Sequence, residues 1–264
     1  MNTTHQLLAA VSTTGLLACG AVLSSEEEAP MPNYPSETVA RPAESIAPKG
    51  AFELLTPQNS TLVLIDHQPQ MAFGVQSIDR QQLKNNVVAL AKSAAAFEVP
   101  TVLTAVASKT FSGPIWPEIL EVFPDQVPVE RTSMNSWDNE EFRQQVRDSG
   151  RKKILIAALW SEVCLTMPTL EMLAEGYEIY IVEDASGGTS TAAHDMAIER
   201  LTQAGAIPVT WQQVLLEWQR DWARASTYAE TTGIAIEHGG AYGMGINYAH
   251  EMFGGSEAHG DDHK

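Results

Sequence analysis

Short apolar runs alternate with amphipathic segments from residue 60 to residue 210, and this alternation constrains the fold more than any other feature of the chain. The first run, 61–65, is typical of a strand buried on both faces of a parallel sheet. Further strands are predicted over 101–104, 154–158, 178–182 and 207–210, and helices over 80–97, 139–149, 164–175 and 192–204. Such alternation predicts a three-layer α/β/α sandwich with a central parallel sheet, in which ligands bind at the carboxyl ends of strands.

The first 24 residues have the outline of an export signal, because an apolar stretch over 7–23 precedes a polar run over 24–28. Residues 16–19 resemble the lipobox of bacterial lipoproteins, in which Cys19 would be lipidated and would tether the protein to a membrane. Residues 1–6 contain no Lys or Arg, whereas export signals normally carry positive charge there. The alternative is a disordered N-terminal extension. The first interpretation predicts an exported protein, periplasmic or membrane-anchored, and the second a cytoplasmic one.

Composition divides the rest of the chain into three parts. Six prolines among Ser, Glu and Ala predict an extended linker over 25–57. A single domain is predicted over 58–228, followed by a C-terminal extension over 229–264. The extension ends in a polar tail with His259 and His263, and a flexible tail is a commoner outcome than a metal site for such a composition.

The charge balance bears on the class of partner. The chain has 33 acidic and 16 basic side chains, for a formal net charge of −17. This excess of negative charge repels the phosphate backbone of nucleic acids, so a small uncharged or weakly charged substrate is predicted instead. The two cysteines, Cys19 and Cys164, lie in segments of different character, and no disulfide framework is predicted.

Three residues lie where a fold of this kind does chemistry. Asp66 follows the first strand directly, which places its carboxylate at the carboxyl edge of the sheet, although an aspartate there is equally often a cap or turn residue. Cys164 opens a helical pattern, where the helix dipole would lower the thiol pKa and free N–H groups would hold an oxyanion; the alternative is an inert buried cysteine. Arg131 is predicted in a polar loop, where it would stabilise a thiolate or bind substrate, or pair with Glu130 or Asp138 at the surface.

Four segments, taken in order, resemble the isochorismatase-like cysteine hydrolases, and in particular their YcaC-related branch. They are 62–68 (LVLIDHQ), 131–138 (RTSMNSWD), 161–164 (SEVC) and 184–187 (DASG). The resemblance implies a Rossmann-like fold with an Asp–Lys–Cys triad, in which Asp66 matches the aspartate and Cys164 the cysteine. Arg131 falls in the block of the family lysine, as in the YcaC-related branch. Since arginine keeps its proton at neutral pH, its implied role is electrostatic.

The resemblance also implies how the nucleophile turn is built. The family has a cis peptide bond just before its nucleophile, which maps onto Trp160–Ser161 and would aim the oxyanion donors at Cys164. The nicotinamidases of this superfamily bind a metal through an aspartate and two histidines, but residues 106–125 contain no histidine. No catalytic metal and no other cofactor are therefore predicted.

The segments that hold Gln68, Asn135 and Trp137 lie beside the triad in the family, so these residues are candidates for lining the substrate pocket, with Trp137 alternatively a core residue. YcaC-related proteins form large homo-oligomers, and the same is predicted here. The predicted helix over 211–228 contains three tryptophans that either supply an interface or close the core of the domain: Trp211, Trp218 and Trp222.

The function predicted from these features is hydrolysis of a small-molecule C–N bond, in an amide or related group, through a covalent bond to Cys164. Asp66 would accept the thiol proton, and Arg131 with the Cys164 N–H would hold developing negative charge. One alternative is hydrolysis of a vinyl ether, as for isochorismate, which needs no cysteine. Another is a non-catalytic oligomeric binding protein on the same fold.

Overall fold

The computed structural model describes residues 52–253 of the 264-residue chain. The predicted export signal with its lipidation site Cys19, most of the predicted linker and the histidine-containing tail lie outside the described residues. Among residues 52–253, no helix combines the length and the apolar character that a bilayer span requires.

A parallel sheet forms the centre of the described part of the chain. Its strands are β1 (Ser60–Ile65), β2 (Thr101–Val106), β3 (Val129–Arg131), β4 (Lys153–Ala158), β5 (Glu178–Val182) and β6 (Ile207–Val209). They lie in the order β3-β2-β1-β4-β5-β6, with every neighbouring pair parallel. Helices flank this sheet, so the predicted three-layer α/β/α sandwich is confirmed. The strand order reverses between β1 and β4, and ligands of open α/β sheets bind at such a switch point.

Several helices begin beside a polar side chain that caps them. They are α1 (Pro69–Phe73), α2 (Arg80–Ala96), α3 (Pro117–Val122), α4 (Glu140–Asp148), α5 (Thr166–Ala174), α6 (Thr191–Gln203), α7 (Trp211–Gln219), α8 (Ala225–His238) and α9 (Ala241–Met252). Side chains accept hydrogen bonds from free N–H groups at the starts of four of them: Asp79 for α2, Asn139 for α4, Ser190 for α6 and Thr210 for α7. These caps satisfy donors that a helix leaves unpaired.

The two central strands, β1 and β4, are buried at every residue. Both strands have largely apolar sequences because they lie at the centre of the sheet, where helices cover both faces. At their carboxyl ends Ile65 and Ala158 are register partners. The segments that follow these strands therefore begin side by side, which brings Asp66 close to the turn that holds Cys164.

The domain extends beyond the predicted boundary at residue 228. That residue falls inside α8, which packs against α2 and α7 and buries Ile234. The predicted helix over 211–228 is interrupted because Arg220 has a φ of 64°, which ends α7. Helix α9 then packs on α8.

Two of the three tryptophans in this region close the core of the domain itself. Trp211 and Trp218 are buried, and Trp218 packs against Phe97 with 6.0 Å between ring centroids, while Trp222 stays partly exposed. Leu55 is also buried in the core, and its N–H donates to Glu217 at 2.7 Å. The folded part of the chain therefore begins inside the predicted linker.

Candidate active site

Asp66 lies directly after β1, at the carboxyl edge of the sheet, as the sequence predicts. It is buried, and its φ is 61°. A non-glycine residue adopts this left-handed conformation at a cost of about 1–3 kcal/mol, which surrounding contacts must offset. The Gln68 N–H donates to the Asp66 carbonyl at 2.7 Å and closes the turn.

Arg131 is the last residue of β3 and is 3% exposed. The prediction of a polar loop is wrong at this residue, because the chain pairs with β2 and sets Arg131 opposite Val106. Its Nη2 donates to Asp66 Oδ2 at 2.5 Å, and its Nε donates to Thr104 Oγ1 at 3.2 Å. The surface alternative, pairing with Glu130 or Asp138, is therefore excluded.

Cys164 lies in a π-helical turn, Ser161–Leu165, that separates β4 from α5. The N–H groups of Val163, Cys164 and Leu165 all donate to the Trp160 carbonyl, at 3.1, 2.9 and 3.3 Å. The predicted oxyanion donor, the Cys164 N–H, is thus already bonded within the protein. Cys164 is 3% exposed, and its thiol lies close enough to the Asp66 carboxylate for the negative charge of Asp66 to act on it. Asp66 thereby contacts both Arg131 and Cys164, and the predicted triad residues come together.

Burial dominates the protonation of this cluster. It raises the pKa of the Cys164 thiol to about 12, with a further contribution from the negative charge of Asp66. The predicted lowering by a helix dipole is wrong, because desolvation and a neighbouring carboxylate both oppose the thiolate. Burial also raises the pKa of Asp66 to about 6, against the opposing effect of Arg131. At neutral pH the resting site therefore pairs a neutral thiol with a carboxylate.

The cis peptide bond joins Leu159 and Trp160, so the prediction of Trp160–Ser161 is wrong by one residue. Leu159 still follows the sheet, since its N–H donates to the Ile65 carbonyl at 3.1 Å and it bridges to Gly187. The chain turns away only after this residue. The Trp160 indole N–H donates to the Met71 carbonyl at 2.7 Å and fixes the turn against α1.

Gln68 joins the loops that follow β1 and β2. Its Oε1 accepts from the Val106 N–H at 3.0 Å, and its Nε2 donates to the carbonyls of Val106, at 3.1 Å, and Gly113. Both polar atoms of the side chain are thus bonded to the backbone. A role in lining the pocket stays a prediction, and the observed contacts are those of a residue that shapes the loop at its edge.

Asn135 and Trp137 belong to the segment after β3. Asn135 Oδ1 accepts from the Trp137 N–H at 3.1 Å, and its Nδ2 donates to Asp138. The buried Trp137 ring meets Phe142 and Tyr177 edge to face, and its Nε1 donates to Glu175 at 2.7 Å. Trp137 is therefore a core residue, and substrate contact by Asn135 stays a prediction.

Sequence reasoning missed a second polar chain beside the nucleophile turn. His194 Nδ1 lies 2.7 Å from Ser161 Oγ, and His194 Nε2 lies 3.1 Å from Glu183 Oε1. Only the closeness of Ser161 to Cys164 is visible in the sequence, since His194 comes 33 residues after Ser161. Among the described residues, no group of three or more His, Cys, Asp or Glu side chains is arranged to hold a metal ion.

The family model of the isochorismatase domain matches residues 60–213 of this chain, from β1 to the start of α7. The chain therefore belongs to the isochorismatase family of hydrolases. Within that family it is a YcaC-related protein, as the following similarities show.

The probable hydrolase YcaC of Escherichia coli (strain K12) is 38% identical over 169 residues, which are 64% of this chain and 81% of that protein. The solved structure of Escherichia coli YcaC, described as an octameric hydrolase of unknown specificity, has a TM-score of 0.73 at 33% identity and covers 76% of this chain and 98% of its own. YcaC from Pseudomonas aeruginosa, solved with hexane-2,5-diol and covalent acrylamide, has a TM-score of 0.72 at 34% identity and covers 75% and 97%.

Proposed function

We propose that this chain is a cysteine-dependent hydrolase that cleaves a C–N bond of a small molecule, in an amide or related group, through a covalent thioester-type intermediate. The observation that carries the proposal is the contact of the Asp66 carboxylate with both the Cys164 thiol and the Arg131 guanidinium at the switch point of the sheet. An acid–base group, a nucleophile and a fixed positive charge in one buried cluster are the components of covalent acyl transfer.

Asp66 is suited to move the proton that the nucleophile must lose. A neutral thiol attacks poorly, so its proton must leave as the new bond forms. The pKa of Asp66, about 6, is high enough for a carboxylate to act as a base near neutral pH, where general bases are most effective. Its contact with Cys164 supplies the short path that this transfer requires.

The proposed reaction has two steps that share one proton carrier. In the first, Cys164 Sγ bonds to the carbonyl carbon while the thiol proton passes to Asp66, and the C–N bond then breaks as Asp66 protonates the leaving amine. In the second, water adds to the thioester carbon and gives a proton to Asp66. The S–C bond then breaks, the carboxylic acid leaves, and the thiolate recovers the proton from Asp66.

Arg131 supplies charge and no proton in this scheme. Four of its five N–H groups donate to protein oxygens: Nε to Thr104, Nη1 to the carbonyls of Ser133 and Met134, and one Nη2 hydrogen to Asp66. The second Nη2 hydrogen has no acceptor among the described residues. We assign it to the negative charge that develops on the substrate oxygen, since the Cys164 N–H is bonded to Trp160.

The covalent acrylamide of Pseudomonas aeruginosa YcaC supports the nucleophile of this proposal, because acrylamide is an electrophile that alkylates a reactive thiol through its C=C bond. It also supplies a test that needs no knowledge of the substrate. Incubation with acrylamide is expected to add one adduct to Cys164, found by peptide mass mapping. Cys164→Ala is expected to lose the adduct, whereas Cys19→Ala keeps it and serves as the matched control. An adduct at another residue, with Cys164 unmodified, would contradict the assignment of the nucleophile.

The reaction class is tested with a panel of small amides, nitriles and carbamoyl compounds, with release of ammonia or amine as the measurement. Turnover by the wild type and its loss in Cys164→Ala are expected. Isochorismate belongs in the same panel, because its cleavage with unchanged rates in Cys164→Ala would establish the vinyl-ether alternative and refute the C–N proposal.

We further propose that the chain forms a homo-oligomer. Escherichia coli YcaC is described as octameric, and the structural similarity covers 98% of that chain. Helix α9 exposes Met244, Tyr248 and Met252 at a spacing of four residues, which lines them up along one side of the helix. An exposed apolar stripe of this kind supports burial against a second copy.

A further inference from the structure

We propose that Ser161, His194 and Glu183 form a positioning relay that holds the nucleophile turn in register with Asp66, an inference that rests on the proposed function. The three side chains are joined in sequence, with Ser161 Oγ 2.7 Å from His194 Nδ1 and His194 Nε2 3.1 Å from Glu183 Oε1. They come from three elements: the turn after β4, helix α6 and the 3-10 turn Glu183–Ala185 after β5. The relay therefore fastens the nucleophile turn to two neighbouring segments.

The positions of the protons in the relay follow from Glu183, which is its solvent-exposed end. The hydrogen bond from His194 keeps the pKa of Glu183 below the ordinary range, so Glu183 is a carboxylate and can only accept hydrogen bonds. His194 Nε2 therefore carries a hydrogen and donates it to Glu183. In the neutral imidazole Nδ1 is then the acceptor, and the Ser161 hydroxyl donates to it. Each donor has one acceptor, which fixes the orientation of both side chains.

Burial shows that Ser161, His194 and Glu183 do not form a second nucleophilic site. Ser161 has no exposed surface, and His194 is 5% exposed. Glu183 is the most exposed of the three, and it lines a cleft together with His194, Asp195 and Glu199 of α6. A hydroxyl that is closed off from substrate can act on the reaction only through its neighbours.

The neighbour that matters is the peptide unit between Trp160 and Ser161. Its carbonyl accepts the N–H groups of the nucleophile turn, including that of Cys164 at 2.9 Å. Its own N–H donates to the Gly187 carbonyl at 3.0 Å, and the Ser161 carbonyl accepts from Thr166 Oγ1 at 2.7 Å. The relay adds a third anchor, the hydrogen bond between the Ser161 side chain and His194. Loss of this hydrogen bond lets Ser161 rotate, and the rotation moves the Trp160 carbonyl that accepts from the Cys164 N–H.

The experiment compares His194→Ala with His194→Asn in the full-length protein. An asparagine side chain can keep the hydrogen bond to Ser161, because its amide occupies the place of the imidazole Nδ1, whereas alanine cannot. Two quantities are measured: amide hydrogen exchange of the peptide that covers Val163 to Leu165, and the rate of Cys164 alkylation by acrylamide. Glu199→Gln is the matched control, because Glu199 lines the same cleft but forms no hydrogen bond or ion pair with His194 in the described part of the chain. Glu183→Ala removes the half-exposed end of the relay and serves if His194→Ala does not fold.

We expect His194→Ala to exchange these amides faster and to alkylate Cys164 about tenfold more slowly, the scale of one lost positioning hydrogen bond. His194→Asn is expected to recover most of both losses, Glu183→Ala to show them in weaker form, and Glu199→Gln to match the wild type. Unchanged exchange in His194→Ala, or equal losses in the Ala and Asn variants, would overturn the relay. Faster exchange with an unchanged alkylation rate would overturn it as well. A wild type whose Cys164 is never alkylated would refute the proposed function, while exchange alone would still decide whether the relay holds the turn.

Discussion

Asp66 is the residue on which the protonation of the site depends. Its strand-end position follows from a local pattern, so the sequence is sufficient to place it and Cys164 at the same edge of the sheet. Its partner Arg131 lies 65 residues away, and the thiol pKa depends on burial by distant segments. Neither property is local: Arg131 enters the candidate site only through the family resemblance, and the direction predicted for the thiol pKa shift is the reverse of the one found.

Activity is expected to fall as pH decreases through about 6, because in the proposed mechanism Asp66 accepts the thiol proton as a carboxylate and its pKa is raised to that value. The pH dependence of kcat/KM for an amide that the enzyme cleaves measures this. Asp66→Asn is expected to abolish turnover at every pH, since the amide cannot accept the proton. A wild-type rate that is constant from pH 5 to 8 would show that Asp66 is not the base.

The raised pKa of Asp66 also makes the free energy of unfolding depend on pH. The folded protein holds the Asp66 proton more tightly than the unfolded chain, since the pKa rises from 3.8 to about 6. The contribution of this carboxyl to the free energy of unfolding is therefore largest below pH 3.8 and falls as pH rises through about 6. Comparing the slopes of stability against pH in the wild type and Asp66→Asn isolates this contribution.

At the scale of elements, the long and periodic segments are those that the sequence predicts well. The central strands and helices α2 and α6 carry enough apolar residues and caps to be recognised from pattern alone. Strand β3 has three residues, which is too short for a period-two pattern to appear, and it exists because β2 offers it an open edge. The π turn likewise depends on how β4 meets α1 and α6, so its hydrogen bonds and the position of the cis bond are not visible in the sequence.

Helix α1 and the nucleophile turn meet at Gly74. A Cβ at this position would lie 2.6 Å from Cζ2 of the Trp160 ring, which is packed and hydrogen bonded to Met71. Gly74→Ala is expected to displace the ring, to cost about 1–3 kcal/mol of unfolding free energy and to slow Cys164 alkylation. Gly245→Ala on α9, where a Cβ meets nothing within 4 Å, is the control that should be neutral or stabilising. Equal melting temperatures and alkylation rates for the two variants would contradict this contact.

For the whole molecule, assembly must contend with a formal charge of −17 on every chain. Screening of like charges by salt favours association, so the mass measured by light scattering is expected to shift toward the oligomer as ionic strength rises. Met244→Glu places a charge on the exposed stripe of α9 and is expected to favour smaller species. Met196→Glu alters an equally exposed methionine on α6, since both are 59% exposed, and should assemble as the wild type does. A wild type that is monomeric at all salt concentrations would refute the oligomer.

Arg131 is carried by β3, the strand at one edge of the sheet, which pairs on one side with β2. Edge segments with few hydrogen bonds open at lower free energy than the core strands that hold Asp66. On gentle warming the guanidinium is therefore expected to leave the carboxylate before the fold is lost. The enzyme should stop working several degrees below its melting temperature and recover on cooling. Substitutions that stabilise the three residues of β3, rather than the hydrophobic core, would then raise the temperature at which activity is lost.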